Sequence, residues 1–135
     1  MSSDNKFPII YRLQQAQEAL NDAQLLFDHN GTARAIINRC YYAIFYAVQA
    51  LLEIKGLSTS KHSGAIALFD KEFVKTGKFK PIFSKDVHMA FEMRQEWDYK
   101  IIAKLDEINE QELLKTAQKF VARSEEYLRI QGYTI

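Results

Sequence analysis

Thr32-Ala33-Arg34-Ala35-Ile36-Ile37-Asn38-Arg39-Cys40-Tyr41-Tyr42-Ala43-Ile44-Phe45-Tyr46-Ala47-Val48-Gln49-Ala50-Leu51-Leu52-Glu53-Ile54-Lys55-Gly56 is the stretch on which the fold turns. Thr32 has the hydroxyl that caps a helix, and Gly56 tolerates the left-handed backbone that ends one, so the segment reads as one helix over Thr32 to Lys55. Ile36, Ile37, Cys40, Tyr41, Ile44, Phe45, Val48, Leu51 and Leu52 cover nearly every face, and Arg34, Asn38, Arg39, Gln49 and Glu53 are the polar interruptions. A helix apolar all round is normally central, packed on several neighbours or across a subunit interface. Its tyrosines, Tyr41, Tyr42 and Tyr46, bring hydroxyls that need partners once buried. The stripe Tyr42, Phe45, Tyr46 reads more simply as core than as a ligand box.

Helical periodicity extends on both sides of this centre. Upstream, Pro8 suits a first turn, and Ile10, Leu13, Ala16, Leu20, Ala23 and Phe27 recur at spacings of three and four, with a stop at His29-Asn30-Gly31. Arg12, Gln15, Glu18 and Asp22 form the opposite, water-facing side. Downstream, the polar loop from Leu57 to Lys61 leads to a third helix with His62, Ile66, Phe69 and Phe73 on one stripe, capped by Ser60 and ended at Thr76-Gly77-Lys78, where Pro81 discourages extension. Ser84 caps a fourth helix carrying Val87, Phe91 and Arg94, which weakens near Trp97 to Tyr99. Asn109 caps a last one with Leu113, Leu114, Ala117, Phe120, Val121, Tyr127 and Leu128 inward, and Glu110 and Glu112 complement its dipole. The expected fold is an all-α bundle of four to five helices in a single domain over 1–135.

Composition supports this and removes several functions. The 5 Gly and 2 Pro in 135 residues are too few turn formers for many short strands. With 47% hydrophobic and 26% charged residues the chain has enough apolar matter for a core and is not a disordered sequence. A net charge of +1 lacks the strongly basic footprint of a DNA-binding domain, so sequence-specific DNA binding is not expected, while a local RNA contact stays open. Cys40, the single cysteine, allows no internal disulfide and no multi-cysteine metal site, and its apolar setting points to a buried thiol. The longest apolar run, Cys40 to Val48, is short of the roughly 18 residues of a membrane span, and the N-terminus lacks a signal-peptide core. A cytoplasmic protein without membrane association is expected.

His29, His62 and His88 are isolated in sequence and form no Glu-x-x-His or His-Glu-x-x-His pattern, so no metal is expected. No glycine-rich phosphate loop occurs, and no cofactor is expected. Two polar groupings interrupt apolar faces, and a single arginine adds a third candidate. Arg94 lies four residues before Asp98, beside Trp97 and Tyr99. A guanidinium in that setting can fork onto a phosphate and stack on a base, or form a structural ion pair with Asp98 that closes the bundle end. Lys61 and His62 open the third helix, where free N–H groups favour anions; equally, His62 is a half-buried packing residue bonded to a neighbour. Arg39, in the central helix, is the third, most simply an internal ion-pair partner.

Three blocks, Asn38 to Ala47, His62-Ser63-Gly64 with Phe69, and Arg94-Gln95-Glu96-Trp97-Asp98-Tyr99, together resemble the HEPN domain (higher eukaryotes and prokaryotes nucleotide-binding) over roughly 8 to 130. The resemblance implies an all-α up-and-down bundle with its core at about 8–130, a homodimer, and work beside a minimal nucleotidyltransferase in prokaryotic toxin-antitoxin or defence pairs. Many members are metal-independent ribonucleases in which His follows Arg by four to six residues. Here those positions hold Asp98, Tyr99 and Lys100, so this chain is similar to the branch with Arg-x-x-x-Asp-Tyr. A carboxylate does not replace imidazole as a proton donor at neutral pH without a large pKa shift. The leading expectation is therefore a dimeric nucleotide-, RNA- or partner-binding module using Arg94, Asp98, Tyr99, His62, Lys61 and Arg39. The alternative is a metal-independent endoribonuclease toxin with Arg94 as its catalytic candidate and His62 or His88 brought near by the fold. A purely structural helical adaptor is the third reading. In some relatives a tyrosine near the motif is adenylylated by the partner, which marks Tyr99 as a modification candidate.

Overall fold

The computed structural model describes residues 6–57, 59–99 and 110–133, with side chains given outside 96–99. Within these residues the chain forms five α-helices and no strand: α1 Lys6–Asp28, α2 Ala33–Ile54, α3 His62–Phe69, α4 Pro81–Tyr99 and α5 Glu110–Ile130. The all-α bundle expected from periodicity is the observed architecture. Helix α2 is its axis. It packs against each of the other four helices, and α1 and α5 also touch each other. The four-residue turn from His29 to Thr32 returns the chain so that α1 lies along α2.

Twelve α2 residues are buried, Tyr41 and Phe45 among them. By length and composition Ala33–Ile54 could cross a membrane, but 67% of its apolar window is already buried against its neighbours. Thr32 caps it as expected, its Oγ1 accepting from Ala35 N at 3.1 Å. The α1 core face differs from the expected stripe. Ile9, Leu13, Ala16, Ala19 and Ala23 are buried, whereas Ile10, Leu20 and Phe27 lie at its margin. Three alanines facing α2, with Ala43, Ala47 and Ala50 buried on the other side, bring small side chains to the core face of each helix. Leu13, Ala16 and Ala23 of the expected stripe are thus in the core, and Ile9 and Ala19 join them in place of the larger marginal residues.

The aromatic part of the same core holds α3, α4 and α5 together. Phe69, Phe73, Phe79 and Phe120 are each at most 1% exposed, and Phe69 meets Phe79 and Phe120 edge-on at 5.4 and 5.5 Å. Arg123 covers this cluster from α5, with Cζ 4.8 Å from the Phe79 ring, and donates to the Lys78 carbonyl. Buried Ser124, absent from the expected core, donates back to the Phe120 carbonyl.

Three expected helix boundaries are corrected. The third helix has Lys61 at its N-cap position with no side-chain cap; Thr59 Oγ1, not Ser60, engages the local backbone by accepting from Lys61 N. Its far end widens into a π turn over Asp70–Val74, where Lys75 N reaches the Asp70 carbonyl at 2.8 Å, and His88 Nε2 clasps Asp70 Oδ2 at 2.7 Å. Gly77, at φ +79°, ends it in the left-handed region, where a Cβ is strained. The fourth helix starts at Pro81, so Ser84 is inside it rather than capping it. Pro81 is thus a starter, because a first-turn residue needs no N–H partner. The fourth helix also runs unbroken through Trp97 to Tyr99. The Asn109 cap lies outside the described residues.

Candidate functional site

The site is built on one face of α2. Tyr41 and Phe45 are four residues apart, so their rings stack at 5.9 Å, and Tyr42 meets Tyr41 edge-on at 5.3 Å. His62, the first residue of α3, lays its imidazole on Phe45 at 4.1 Å and beside Tyr41 at 5.5 Å. Arg94 arrives from α4, with Cζ 5.4 Å from the Tyr41 ring and 5.7 Å from the Tyr42 ring. Phe91, one turn before it, packs on Tyr41. Residues more than fifty positions apart thus share one aromatic floor.

Tyr41 is 1% exposed, and its hydroxyl lies 2.6 Å from His62 Nδ1. The direction of this bond follows from satisfaction of the buried O–H. Tyr41 makes no other hydrogen bond among the described residues, so pointing its proton elsewhere would leave a buried donor without an acceptor. Tyr41 therefore donates to Nδ1, and the neutral imidazole carries its own proton on Nε2. Burial, and then the Arg94 charge, hold the His62 pKa below its usual 6.5, which keeps the ring neutral at pH 7. Burial likewise raises the Tyr41 pKa, against the opposing field of Arg94, so the phenol stays protonated. The result is a guanidinium and a neutral Nε2–H donor on an apolar floor. Such a set binds an anion; the imidazole nitrogen that has a lone pair is occupied by Tyr41.

Of the other candidates, Arg39 also reaches this floor, with Cζ 5.3 Å from Tyr42. It is not the ion-pair partner expected: its Nε and Nη2 donate to Asn38 Oδ1 at 3.2 and 2.9 Å. Asn38 thus orients two of its N–H groups, and no carboxylate pairs with it among the described residues. Lys61 is exposed beside His62. His88 is tied to Asp70 and is not part of the site. The side chains of Asp98 and Tyr99 lie outside the described residues, and with them the expected Arg94–Asp98 contact. Sequence reasoning missed Tyr41 as the partner of His62; the signal was the need of a buried tyrosine hydroxyl for an acceptor. Among the described residues no three His, Cys, Asp or Glu side chains gather as a metal ion would require.

The blocks that meet on this floor are those of one family, and the family model described as "HEPN domain" matches residues 10–127. The chain belongs to the HEPN domain family. Several curated relatives cover most of its length. A "UPF0332 protein" of Thermotoga maritima is 43% identical over 113 residues, 84% of this chain and 85% of that protein. Two proteins of Methanocaldococcus jannaschii carry the names "Putative toxin MJ0605" and "Putative toxin MJ0142". The first is 31% identical over 96% of this chain and 95% of its own length, the second 29% over 86% and 78%. This HEPN domain protein thus has its Arg94–His62 cluster within the matched span.

Proposed function

We propose that this HEPN domain protein is an anion-binding component of a prokaryotic toxin-antitoxin or defence pair, holding a phosphate of RNA or of a nucleotide between Arg94 and His62. The Tyr41–His62 hydrogen bond carries this reading. With Nδ1 accepting from Tyr41, His62 presents a donor to the ligand, and a donor beside a guanidinium suits a phosphate oxygen. A general base at Nε2 would require the other tautomer, which leaves the Tyr41 proton buried without an acceptor. The toxin names of two relatives support the biological setting, and a minimal nucleotidyltransferase is the partner that fits it. A homodimer belongs to the same reading, supported by the family likeness rather than by α2, whose apolar faces are largely covered within one chain. Asp98 and Tyr99 complete the proposed surface, with Tyr99 as the residue a nucleotidyltransferase would modify, and Lys61 at its rim.

Binding of a labelled single-stranded RNA, measured by fluorescence anisotropy with wild type and Arg94→Ala, tests the reading. Loss of one phosphate contact should weaken binding and lower the salt slope by about one. Equal binding by both proteins, or none by wild type, sinks it. A second reading, metal-independent endoribonuclease, is favoured by the approach of Arg94 to a neutral His62. It requires cleavage of RNA in EDTA that Arg94→Ala and His62→Ala both abolish; intact RNA after incubation with wild type removes it.

A further inference from the structure

Where α1 ends, Asp22, Leu25, Leu26, His29, Gly31 and Arg39 line a solvent-open surface cavity of about 400 Å³. Pockets that hold small ligands span about 300–1,000 Å³ and combine apolar walls with a few polar groups, which describes this one. Its floor is tightly made. A Cβ at Gly31 would lie 2.8 Å from Leu26 Cδ2, so only glycine lets the turn close against that leucine. Leu25 and Leu26 present apolar surface, and Asp22 presents a carboxylate.

Arg39 joins this cavity to the Arg94 site. Its guanidinium is oriented by the two bonds to Asn38, and Nη1 makes no hydrogen bond among the described residues. Arg39 and Arg94 both lie against the Tyr42 ring, at 5.3 and 5.7 Å. Two guanidinium groups set on one aromatic ring, with an apolar cavity beyond one of them, match a ligand that repeats anion and flat ring along a chain. Single-stranded nucleic acid has that pattern, and its binders combine cationic tracks with surfaces for base faces.

We propose that the cavity receives one nucleobase of a single-stranded nucleic acid, with the adjoining phosphate on Arg39 and a further phosphate at Arg94. The proposal rests on the phosphate-binding reading of Arg94 and adds to it the source of base preference. Phosphate contacts position a strand, and contacts to base edges select it. The Asp22 carboxylate only accepts hydrogen bonds, so it favours a base with an exocyclic amino group, guanine, adenine or cytosine, over uracil, whose one donor is its ring N3–H. Leu25 and Leu26 cover the ring face.

The experiment is anisotropy titration of fluorescein-labelled A6, C6 and U6, each as ribo- and deoxyribo-oligonucleotide, against wild type, Arg94→Ala, Arg39→Ala, Leu25→Trp and Asp22→Asn. Leu25 is 57% exposed, so a larger side chain there fills the cavity without entering the core. Wild type should bind A6 and C6 about tenfold more tightly than U6, the worth of one good hydrogen-bonded contact. Asp22→Asn should erase that preference. Leu25→Trp should weaken A6 about tenfold, and Arg39→Ala should reduce the salt slope by about one. Tighter binding of the ribo series assigns a contact to the 2′-hydroxyl; equal binding of the two series assigns recognition to base and phosphate alone. Either pattern upholds the cavity when the variants behave as stated. If wild type binds, Arg94→Ala does not, and the three cavity variants match wild type within about twofold, the cavity proposal is wrong and the phosphate reading stands. If wild type binds no oligonucleotide, both fall.

Discussion

Replacing Tyr41 by Phe removes one oxygen from the centre of the site and leaves the rest of the packing in place. The ring keeps its contacts with Phe45, His62, Phe91 and Arg94, and nothing larger than a hydroxyl is lost. A net hydrogen bond is worth roughly 0.5–1.5 kcal/mol, and half-buried His62 regains part of its solvation, so the cost should be about 1 kcal/mol. For a chain of this size that lowers Tm by about 4 °C. The imidazole should change more than the stability. Burial and the Arg94 charge, which hold the His62 pKa down, stay in the variant; the Tyr41 O–H adds to them by stabilising the neutral ring through Nδ1, so its removal should raise that pKa part of the way back and release the ring from the Nε2–H tautomer. Nitrogen-15 spectra of the imidazole through a pH titration, with thermal melts of both proteins, measure all three quantities. A wild-type ring with its proton on Nδ1, or a variant with unchanged Tm and unchanged His62 titration, would refute the argument that Tyr41 donates.

The same depressed pKa sets a pH dependence. Above pH 6.5 His62 is neutral in folded and unfolded chains, and its contribution to stability is complete; below it the unfolded chain takes a proton that the folded chain resists, so stability falls with pH until the folded pKa is passed. Denaturant melts across that window should show the fall in wild type and a smaller one in His62→Gln. Phe120→Ala, at a fully buried site in the aromatic core, should cost about 3–5 kcal/mol, a large share of the roughly 5–15 kcal/mol of a typical domain, and urea titration reads it directly. Cys40 is buried, and burial pushes its thiol up to about 12, so a thiol reagent at pH 7.5 should label it only in denaturant. Labelling of the native protein at the denatured rate would show that α2 opens locally.

The central helix was legible because its apolar residues surround it, and a helix without a polar face has to be covered on several sides. The α3–α4 boundaries were less so. Ser60 and Ser84 are good capping residues by type, yet a cap works only where the backbone ends, and here the π turn and the Pro81 start move those ends. Periodicity placed Leu13, Ala16 and Ala23 of α1 on the buried face but missed Ile9 and the small Ala19, and it set Ile10, Leu20 and Phe27 deeper than they lie.

For the site, sequence alone determined the ingredients: an arginine that interrupts an apolar stripe, a histidine at a helix start, and tyrosines whose hydroxyls need partners. Local chemistry determines these needs, and local chemistry is written in residue type. Only the tertiary structure decided who answers whom. Tyr41 and His62 are 21 residues apart, His88 goes to Asp70 and not to Arg94, and Arg39 and Arg94 meet over one ring although helices α2 and α4 carry them. Such pairings depend on how helices are rotated and set against one another by core packing, a property of all their buried side chains at once and of no short stretch of sequence.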